Sequence, residues 1–145
     1  MENVHATCVD INGAGVLITG ASGSGKSDLA LRLIENKGAL LVADDRTDLL
    51  KENGALTAMA PKAIEGLMEV RGVGIVRKEN KPKTCIKLVV EAALKEKIER
   101  CPELHFFENQ GVSVAKLFLN LLEPSAPDKV VVKLKSVLEE EKQNT

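Results

Sequence analysis

The stretch from Leu17 to Arg46, LITGASGSGKSDLALRLIENKGALLVADDR, contains a glycine-rich turn, a lysine and two adjacent aspartates. Its GASGSGKS portion fits the pattern G-x-x-x-x-G-K-[ST]. In this pattern backbone N–H groups turn toward phosphate oxygens, the lysine adds positive charge beside the β and γ phosphates, and the final hydroxyl can bind Mg²⁺. The sequence therefore predicts a nucleotide-phosphate site formed by Gly20, Ala21, Ser22, Gly23, Ser24, Gly25, Lys26 and Ser27. We expect Lys26 to face solvent until a phosphate binds.

The two aspartates follow an apolar run, Ala39 to Ala43, that is typical of a strand covered on both faces inside a sheet. Ligands of α/β sheets bind beyond the carboxyl ends of strands, which places Asp44 and Asp45 near the phosphates. Successive strand residues point to opposite faces, so one of the two is expected to face the site. That carboxylate could hold Mg²⁺ through water or accept a proton from an attacking hydroxyl. The alternative is a strand end that binds Arg46.

A third unusual stretch is LMEVRGVGIV, Leu67 to Val76. Glu69 and Arg71 are two residues apart, and on a strand they would share one face. Beside a triphosphate, the carboxylate could serve a metal and the guanidinium could stabilise the charge of the transition state. The alternative is a surface ion pair beside a turn.

The composition narrows the possible partners. The chain has 145 residues and a net charge of −1, with 20 basic and 21 acidic residues, which gives no reason to expect nucleic acid. Three cysteines without a C-x-x-C pattern predict reduced thiols and a cytoplasmic protein. No apolar run approaches the roughly 20 residues of a membrane span, so no membrane is expected. The length fits one domain, residues 1–145.

The residue patterns predict an α/β fold with a mixed sheet, hairpins and a C-terminal helix. A first hairpin should turn around Gly13-Ala14-Gly15 and a second at Glu52-Asn53-Gly54. Leu29, Ala30, Leu33 and Ile34 have helical spacing, which predicts a helix from about Lys26 to Asn36 that ends at Gly38. The segments TCIKLVVEAAL and GVSVAKLFLNLL are further strand candidates. A last helix should follow Pro124 and Pro127, and the terminal EEEKQNT should fray.

Several absent motifs narrow the choice among nucleotide-binding classes. A GTPase would carry Asn-Lys-x-Asp, but the NKGA and NKPK segments lack the aspartate. The H-R-D and D-F-G motifs of ordinary protein kinases are also missing. ATP is therefore the favoured nucleotide. A kinase of this sequence would be a P-loop (Walker A) kinase.

Three segments in order, HATCVDINGAGVLITGASGSGKSDLALRLI, LLVADDR and LMEVRGVGIV, resemble the catalytic domain of HPr kinase/phosphorylase. Its most specific part is the E-[IV]-R-G-x-G pattern together with the P-loop and the A-D-D sequence. The resemblance covers about residues 4–101, and the length is similar to a short form without an N-terminal regulatory domain. It implies an ATP- and Mg²⁺-dependent kinase that phosphorylates a serine of HPr or an HPr-like phosphocarrier, and a hexamer.

The resemblance also implies roles for individual residues. His5 would be catalytic and interact with the aspartates, and Asp45 would be the base in phosphorylation and the acid in the reverse reaction, with Asp44 supporting it. Lys26 would act on the phosphates, and Ser27 and Glu69 would bind metal. Arg71 would support the site, and Arg100, in KIERCPE, would match a downstream catalytic arginine.

The chain departs from the family pattern after Val76. RKENKPKTC and FLNLLEPSAPDKVVVKL replace a glycine-rich loop and a P-x-x-x-G-R-N stretch that the family links to phosphorylase activity. The resemblance therefore implies the kinase direction and leaves the reverse, phosphorylase reaction open. Two other interpretations stay open at this point, which are a P-loop kinase of small molecules and an ATP-sensing regulatory module that transfers no phosphate.

Overall fold

The computed structural model describes residues 1–143 and shows an α/β fold with a mixed sheet and a C-terminal helix. Its two α-helices are α1 (Lys26–Lys37) and α2 (Ala126–Gln143), and two short 3-10 helices cover Lys62–Ile64 and Lys95–Lys97. The strands are β1 (Glu2–Val4), β2 (Ala6–Ile11), β3 (Ala14–Thr19), β4 (Leu40–Ala43), β5 (Thr47–Glu52), β6 (Ala55–Met59), β7 (Leu67–Val70), β8 (Gly74–Arg77), β9 (Lys83–Ala92), β10 (His105–Asn109) and β11 (Val112–Leu119).

Strand β9 organises the main sheet. The sheet runs in the order β1-β5-β6-β9-β3-β2-β4, and the β10–β11 hairpin joins it through β11. Strand β9 is parallel to β3 and β11 and antiparallel to β6, so the sheet is mixed. The carboxyl ends of β3 and β9 therefore meet at one edge. Strands β7 and β8 form a separate antiparallel hairpin.

Two hairpin turns contain an Asn-Gly pair. Asn53 and Gly54 have φ of 50° and 77°, as a tight two-residue turn requires, and they connect β5 to β6 as predicted. The first hairpin turns at Asn12 and Gly13, with φ of 50° and 92°, so its predicted position around Gly13-Ala14-Gly15 was displaced. The turn forms at the Asn12-Gly13 pair because both of its central positions need positive φ, which asparagine and glycine tolerate.

Strand β4 lies at the end of the sheet order, so its predicted position inside the sheet was wrong. Its apolar run is nevertheless buried, because Leu41 and Val42 pack into clusters on opposite faces of the sheet. The outer edge is covered by the chain at residues 80–81, where the Lys81 amide donates to the Leu41 carbonyl at 2.8 Å. An apolar run thus indicates coverage of both faces but not a central position.

The helices cover one face of the sheet. Leu29 and Leu33 of α1 and Val130 and Leu134 of α2 belong to one buried cluster with side chains of β2, β3 and β9. Burial of each leucine contributes about 1.5–3 kcal/mol to the free energy of folding. Helix α1 matches the predicted bounds within one residue, and Gly38 ends it in a left-handed conformation with φ of 71°.

The C-terminal part was only partly anticipated. Pro127 lies in the first turn of α2, where proline is tolerated because backbone N–H groups at those positions have no acceptor within the helix and a missing one costs nothing. The helix continues to Gln143, so the predicted fraying of EEEKQNT does not begin before that residue, and residues 144–145 lie outside the described part. Strand β10, with its exposed His105 and Phe106, was missed because only β11 of that hairpin has a clear apolar pattern.

All three cysteines are free, in agreement with the expectation of reduced thiols. Cys8 is fully buried, and burial raises the pKa of its thiol above the ordinary range. Cys85 is partly exposed and Cys101 is exposed. Within residues 1–143, neither helix is long and apolar enough to cross a membrane.

A buried carboxylate fixes the first hairpin. Asp10 is 3% exposed, and its oxygens accept hydrogen bonds from the Thr84 hydroxyl at 2.6 Å and the Gly13 amide at 2.9 Å. Lys81 lies 3.1 Å away. Burial alone would raise the pKa of Asp10, but these hydrogen bonds and the lysine charge outweigh burial and hold the pKa below its ordinary value. The ionised form is therefore the stabilising one.

We expect Asp10→Asn to lower the free energy of unfolding at pH 7 by about 1–3 kcal/mol, because the substitution removes hydrogen bonds to a charged acceptor. The native pKa of Asp10 is depressed, so its contribution is full above the unfolded value of about 3.9 and is lost as the pH falls through the native value. The difference in urea unfolding between parent and variant should therefore shrink progressively as the pH falls below about 4 and disappear below the native pKa of Asp10. Glu103→Gln, at an exposed position, is the control, and a pH-independent difference would contradict the assignment.

Candidate functional site

The glycine loop, defined as Gly20–Ser27, connects the end of β3 to the first turn of α1. Lys26 is 7% exposed, and its Nζ donates to the carbonyls of Gly20 and Ala21 at 2.8 and 3.1 Å. The expectation of a solvent-facing lysine was therefore wrong. A buried ammonium group needs hydrogen-bond acceptors, and the carbonyls of its own loop are within reach. The lysine thus lies under the loop and closes it.

Other features of the loop are consistent with an anion cradle. Gly25 has φ of 102°, a backbone conformation that residues with a Cβ rarely adopt, and its Cα faces the side chain of Leu122. The Ser24 hydroxyl is the buried side-chain oxygen that has no hydrogen-bond partner within residues 1–143. The amino end of α1 follows directly, and its free N–H groups favour negative charge. The loop thus combines backbone N–H donors with the ammonium group of Lys26.

Asp44 occupies the centre of the site and is 6% exposed. Its Oδ1 accepts hydrogen bonds from the Ser27 hydroxyl at 2.6 Å and the Thr7 hydroxyl at 3.3 Å. Its Oδ2 accepts a hydrogen bond from the Glu69 amide at 3.1 Å. The carboxylate therefore connects β2, the glycine loop and the β7–β8 hairpin.

Asp45 also lines the site, so the expectation that only one aspartate faces it was wrong. Strand β4 ends at Ala43, and Asp45 has φ of 68° in a turn where the Arg46 amide donates to the Asp44 carbonyl at 2.8 Å. The alternation of a strand therefore does not extend to the aspartates. The exposed Asp45 carboxylate lies 2.6 Å from His5 Nε2, which confirms the expected contact of His5 with the pair.

The β7–β8 hairpin contributes Glu69 and Arg71, although they do not share a strand face as predicted. Strand β7 ends at Val70, so Arg71 belongs to the turn. Both side chains nevertheless line one cavity of about 460 Å³ with Lys26, Ser27, Asp44 and Asp45. The structure therefore brings together six of the side chains selected from the sequence.

Arg100 is not brought to this cavity. It is exposed in the connection between β9 and β10, after the second 3-10 helix, and does not belong to the cavity lining. The connection leaves the same edge of the sheet as the glycine loop, because β3 and β9 run parallel. Its proposed catalytic role has no geometric support in the described residues.

Sequence reasoning missed Thr7. It is fully buried, and its Oγ1 also accepts a hydrogen bond from the Asp45 amide at 3.2 Å. The available signal was its position two residues after His5, because alternate residues of an extended segment point the same way.

The oxygen atoms of the site suit a magnesium ion held together with phosphates. Ser27, Asp44 and Glu69 line the cavity beside the glycine loop. Within residues 1–143, no group of three or more His, Cys, Asp or Glu side chains could hold a metal by itself. Mg²⁺ is commonly held by one or two carboxylates plus substrate phosphates and water, so this sparse donor set fits it.

Residues 1–123 match the model of the HPr Serine kinase C-terminal domain family. The chain belongs to this family. The chain is 43% identical over 97 residues to the HPr kinase/phosphorylase of Lactobacillus acidophilus, covering 61% of this chain and 30% of the relative. It is 51% identical over 74 residues to the HPr kinase/phosphorylase of a Geobacillus species, and the match covers 50% of this chain and 24% of the relative. The chain thus spans less than a third of the length of these curated relatives.

A solved structure agrees over almost the whole length. The Hpr(Ser) kinase/phosphatase from Coxiella burnetii superimposes with a TM-score of 0.81 at 25% sequence identity, covering 99% of this chain and 98% of that one. The HPr kinase fold therefore extends past the family match into α2. The resemblance identified from the sequence motifs is confirmed.

We expect Lys26→Met to weaken Mg-ATP binding by tenfold or more, since about 1.4 kcal/mol or more of charge-assisted bonding is lost. Because Lys26 also closes the loop, the amides of Gly20–Gly25 should exchange hydrogen faster in the variant without nucleotide. Calorimetry and hydrogen exchange measure the two effects. Lys51→Met, at an exposed position on β5, is the control, and unchanged affinity in Lys26→Met would contradict the assignment.

Proposed function

We propose that the chain transfers the γ-phosphoryl group of ATP to a serine hydroxyl of HPr or an HPr-like phosphocarrier protein. The observation that carries this proposal is the single cavity shared by a lysine-bearing glycine loop, a serine–aspartate pair and an exposed, histidine-bound aspartate. Family membership supports it, since the curated relatives are named HPr kinase/phosphorylase. The proposed reaction takes place in the cytoplasm, where ATP is available.

The glycine loop is proposed to act as a P-loop of the Walker A type. Its amides, including those freed by the positive φ of Gly23 and Gly25, would surround the phosphate oxygens. The Lys26 ammonium group would exchange the carbonyls of Gly20 and Ala21 for phosphate oxygens, which are stronger acceptors because they are charged. The lysine is thus held within reach of its ligand before binding.

Ser27, Glu69 and Asp44 are the residues proposed to hold Mg²⁺ together with the phosphates. When bound, the ion neutralises charge that develops on the phosphate oxygens. Asp44 already orients the Ser27 hydroxyl, since their oxygens lie 2.6 Å apart. Arg71, in the turn that follows β7 and in the lining of the same cavity, would stabilise transition-state charge.

Asp45 is proposed to be the general base. The serine Oγ of the partner forms a bond to the γ-phosphorus, the bond to the oxygen of ADP breaks, and the serine proton passes to the Asp45 carboxylate. Asp45 suits this role because it is exposed to an incoming protein and faces the cavity, whereas Asp44 is buried and engaged by three donors. His5 holds the Asp45 carboxylate at 2.6 Å and would orient it.

The name of the solved structure, Hpr(Ser) kinase/phosphatase, supports a seryl acceptor on HPr. We propose a homo-oligomer, a hexamer by analogy with the family, as the active assembly. We propose the kinase direction as the principal one, because the segments after Val76 depart from the pattern linked to the reverse reaction.

We expect Asp45→Asn to lower the rate of phosphocarrier phosphorylation by on the order of a hundredfold or more while Mg-ATP affinity is retained. Asparagine tolerates the positive φ at this position, so the turn should persist. Asp44→Asn should instead weaken Mg-ATP binding, since it disturbs the acceptor of Ser27. Transfer kinetics and calorimetry separate the two effects.

Asp48→Asn, in β5 outside the cavity lining, is the control and should leave both quantities within about twofold of the parent. If Asp45→Asn retains turnover while Asp44→Asn is inactive, the roles of the two aspartates are reversed. If both retain turnover, neither aspartate is the base.

We expect Glu69→Gln to raise the Mg²⁺ concentration needed for half-maximal transfer by about tenfold, with a smaller effect on nucleotide affinity. The substitution preserves the backbone amide that donates to Asp44, so only the side chain is tested. A magnesium titration of the transfer rate measures the change. Glu65→Gln, at an exposed position just before β7, is the control, and an unchanged titration would remove Glu69 from the metal site.

A further inference from the structure

We propose that Thr7 is a positioning residue that sets the direction of the Asp45 carboxylate. This inference rests on the proposed function, because it concerns the group assigned as the base. Thr7 does not belong to the cavity lining and is fully buried, so it has no route to substrate. Any effect it has on transfer must therefore pass through the aspartates.

The Thr7 hydroxyl makes two hydrogen bonds of different kinds. It donates to Asp44 Oδ1 at 3.3 Å and accepts from the Asp45 backbone amide at 3.2 Å. A hydroxyl has one donor and two acceptor positions, so a single oxygen can make both bonds. It thereby joins the side chain of one aspartate to the backbone of the next.

The bond to the Asp45 amide matters because of the conformation at that residue. A non-glycine residue with φ of 68° is uncommon, and such a conformation persists where the surroundings fix it. The flanking bond from the Arg46 amide to the Asp44 carbonyl closes the turn, and the Thr7 hydroxyl supplies the partner of the amide inside it. The backbone conformation of this turn sets the direction of the Asp45 side chain, so the Thr7 hydroxyl contributes to that direction.

The chain around the start of β2 thus holds Asp45 at two points, His5 just before the strand and Thr7 within it. His5 contacts its carboxylate at 2.6 Å, and Thr7, two residues later, contacts its amide at 3.2 Å. His5 is partly exposed, with 40% of its side chain accessible, whereas Thr7 is buried. The buried Thr7 contact fixes the backbone of Asp45, and the exposed His5 contact then orients its carboxylate.

A purely structural role for Thr7 predicts a different result from a positioning role. Thr7→Val keeps the side-chain volume and removes both hydrogen bonds. Thr7→Ser keeps the hydroxyl and removes a buried methyl group, which should lower stability. If the residue only fills space, serine should be the more harmful substitution. If the hydroxyl positions Asp45, valine should be the more harmful substitution.

The experiment compares transfer of phosphate from Mg-ATP to an HPr-like phosphocarrier by the parent, Thr7→Val and Thr7→Ser. We expect kcat to fall by on the order of tenfold to a hundredfold in Thr7→Val, with the KM for ATP within about twofold of the parent, because a small misplacement of a catalytic group carries such a cost. Thr7→Ser should restore kcat to within about threefold despite a lower Tm. Thr57→Val, at another buried threonine in β6, is the control.

Hydrogen exchange at the Asp45 amide gives a readout that does not depend on activity. The exchange rate should rise at least about tenfold in Thr7→Val and remain near the parent value in Thr7→Ser. Thr7→Cys, with a thiol of similar size and weak hydrogen bonding, takes the place of the valine variant if that variant does not fold.

Parent-like kcat in a folded Thr7→Val protein would overturn the inference, as would equal losses of kcat in the valine and serine variants. If the parent transfers no phosphate, the proposed function fails and the exchange measurement decides on Thr7 separately. Faster Asp45 exchange in Thr7→Val alone then supports the positioning contact, and equal exchange in all proteins overturns it.

Discussion

The buried carboxylate of Asp44 is the interaction on which the site depends. A carboxylate that is 6% exposed is costly unless donors surround it, and three donors from three different segments converge on this one. They are the hydroxyls of Thr7 and Ser27 and the amide of Glu69. Satisfying this single charge therefore fixes β2, the amino end of α1 and the β7–β8 hairpin around one cavity.

The mixed sheet brings these segments together. Strands β3 and β9 run parallel, and the glycine loop emerges where they end, with Gly20 so close to Ala92 that an added Cβ would lie 2.7 Å from its Cβ. Strand β2 pairs with both β3 and β4, which places His5 and Thr7 beside the two aspartates. The polar side chains of the site thus lie at the starts and ends of strands, while the buried apolar side chains lie along the middles of the strands.

Much of this arrangement could be predicted from the sequence because local patterns determine it. Neighbouring residues determine the position of the glycine loop between a strand and α1, the bounds of α1 to within one residue and the Asn53-Gly54 turn, and the structure confirms these three features. The pairing of His5 with an aspartate required the family resemblance, since forty residues separate them along the chain. The periodic spacing of apolar residues predicts local structure and gives no information on a contact between residues so far apart.

The misplaced features depend on tertiary structure. Both aspartates line the cavity because β4 ends together with its apolar run at Ala43 and a turn with positive φ at Asp45 follows. Lys26 is buried because the carbonyls of its own loop accept its hydrogen bonds, and β4 lies at an edge that a bridge at Asn80 covers. Thr7 was missed because a buried threonine in an apolar strand has the same sequence pattern whether or not its hydroxyl serves a site.

The most direct test of the account is to locate the transferred phosphate. The pure protein is incubated with Mg-ATP and HPr-like phosphocarrier proteins, and tandem mass spectrometry assigns the modified residue. The account predicts one phosphoserine on a phosphocarrier, formed together with an equal amount of ADP and absent when Mg²⁺ is removed. Phosphate on a small molecule, or tight ATP binding with no phosphorylated product, would contradict it.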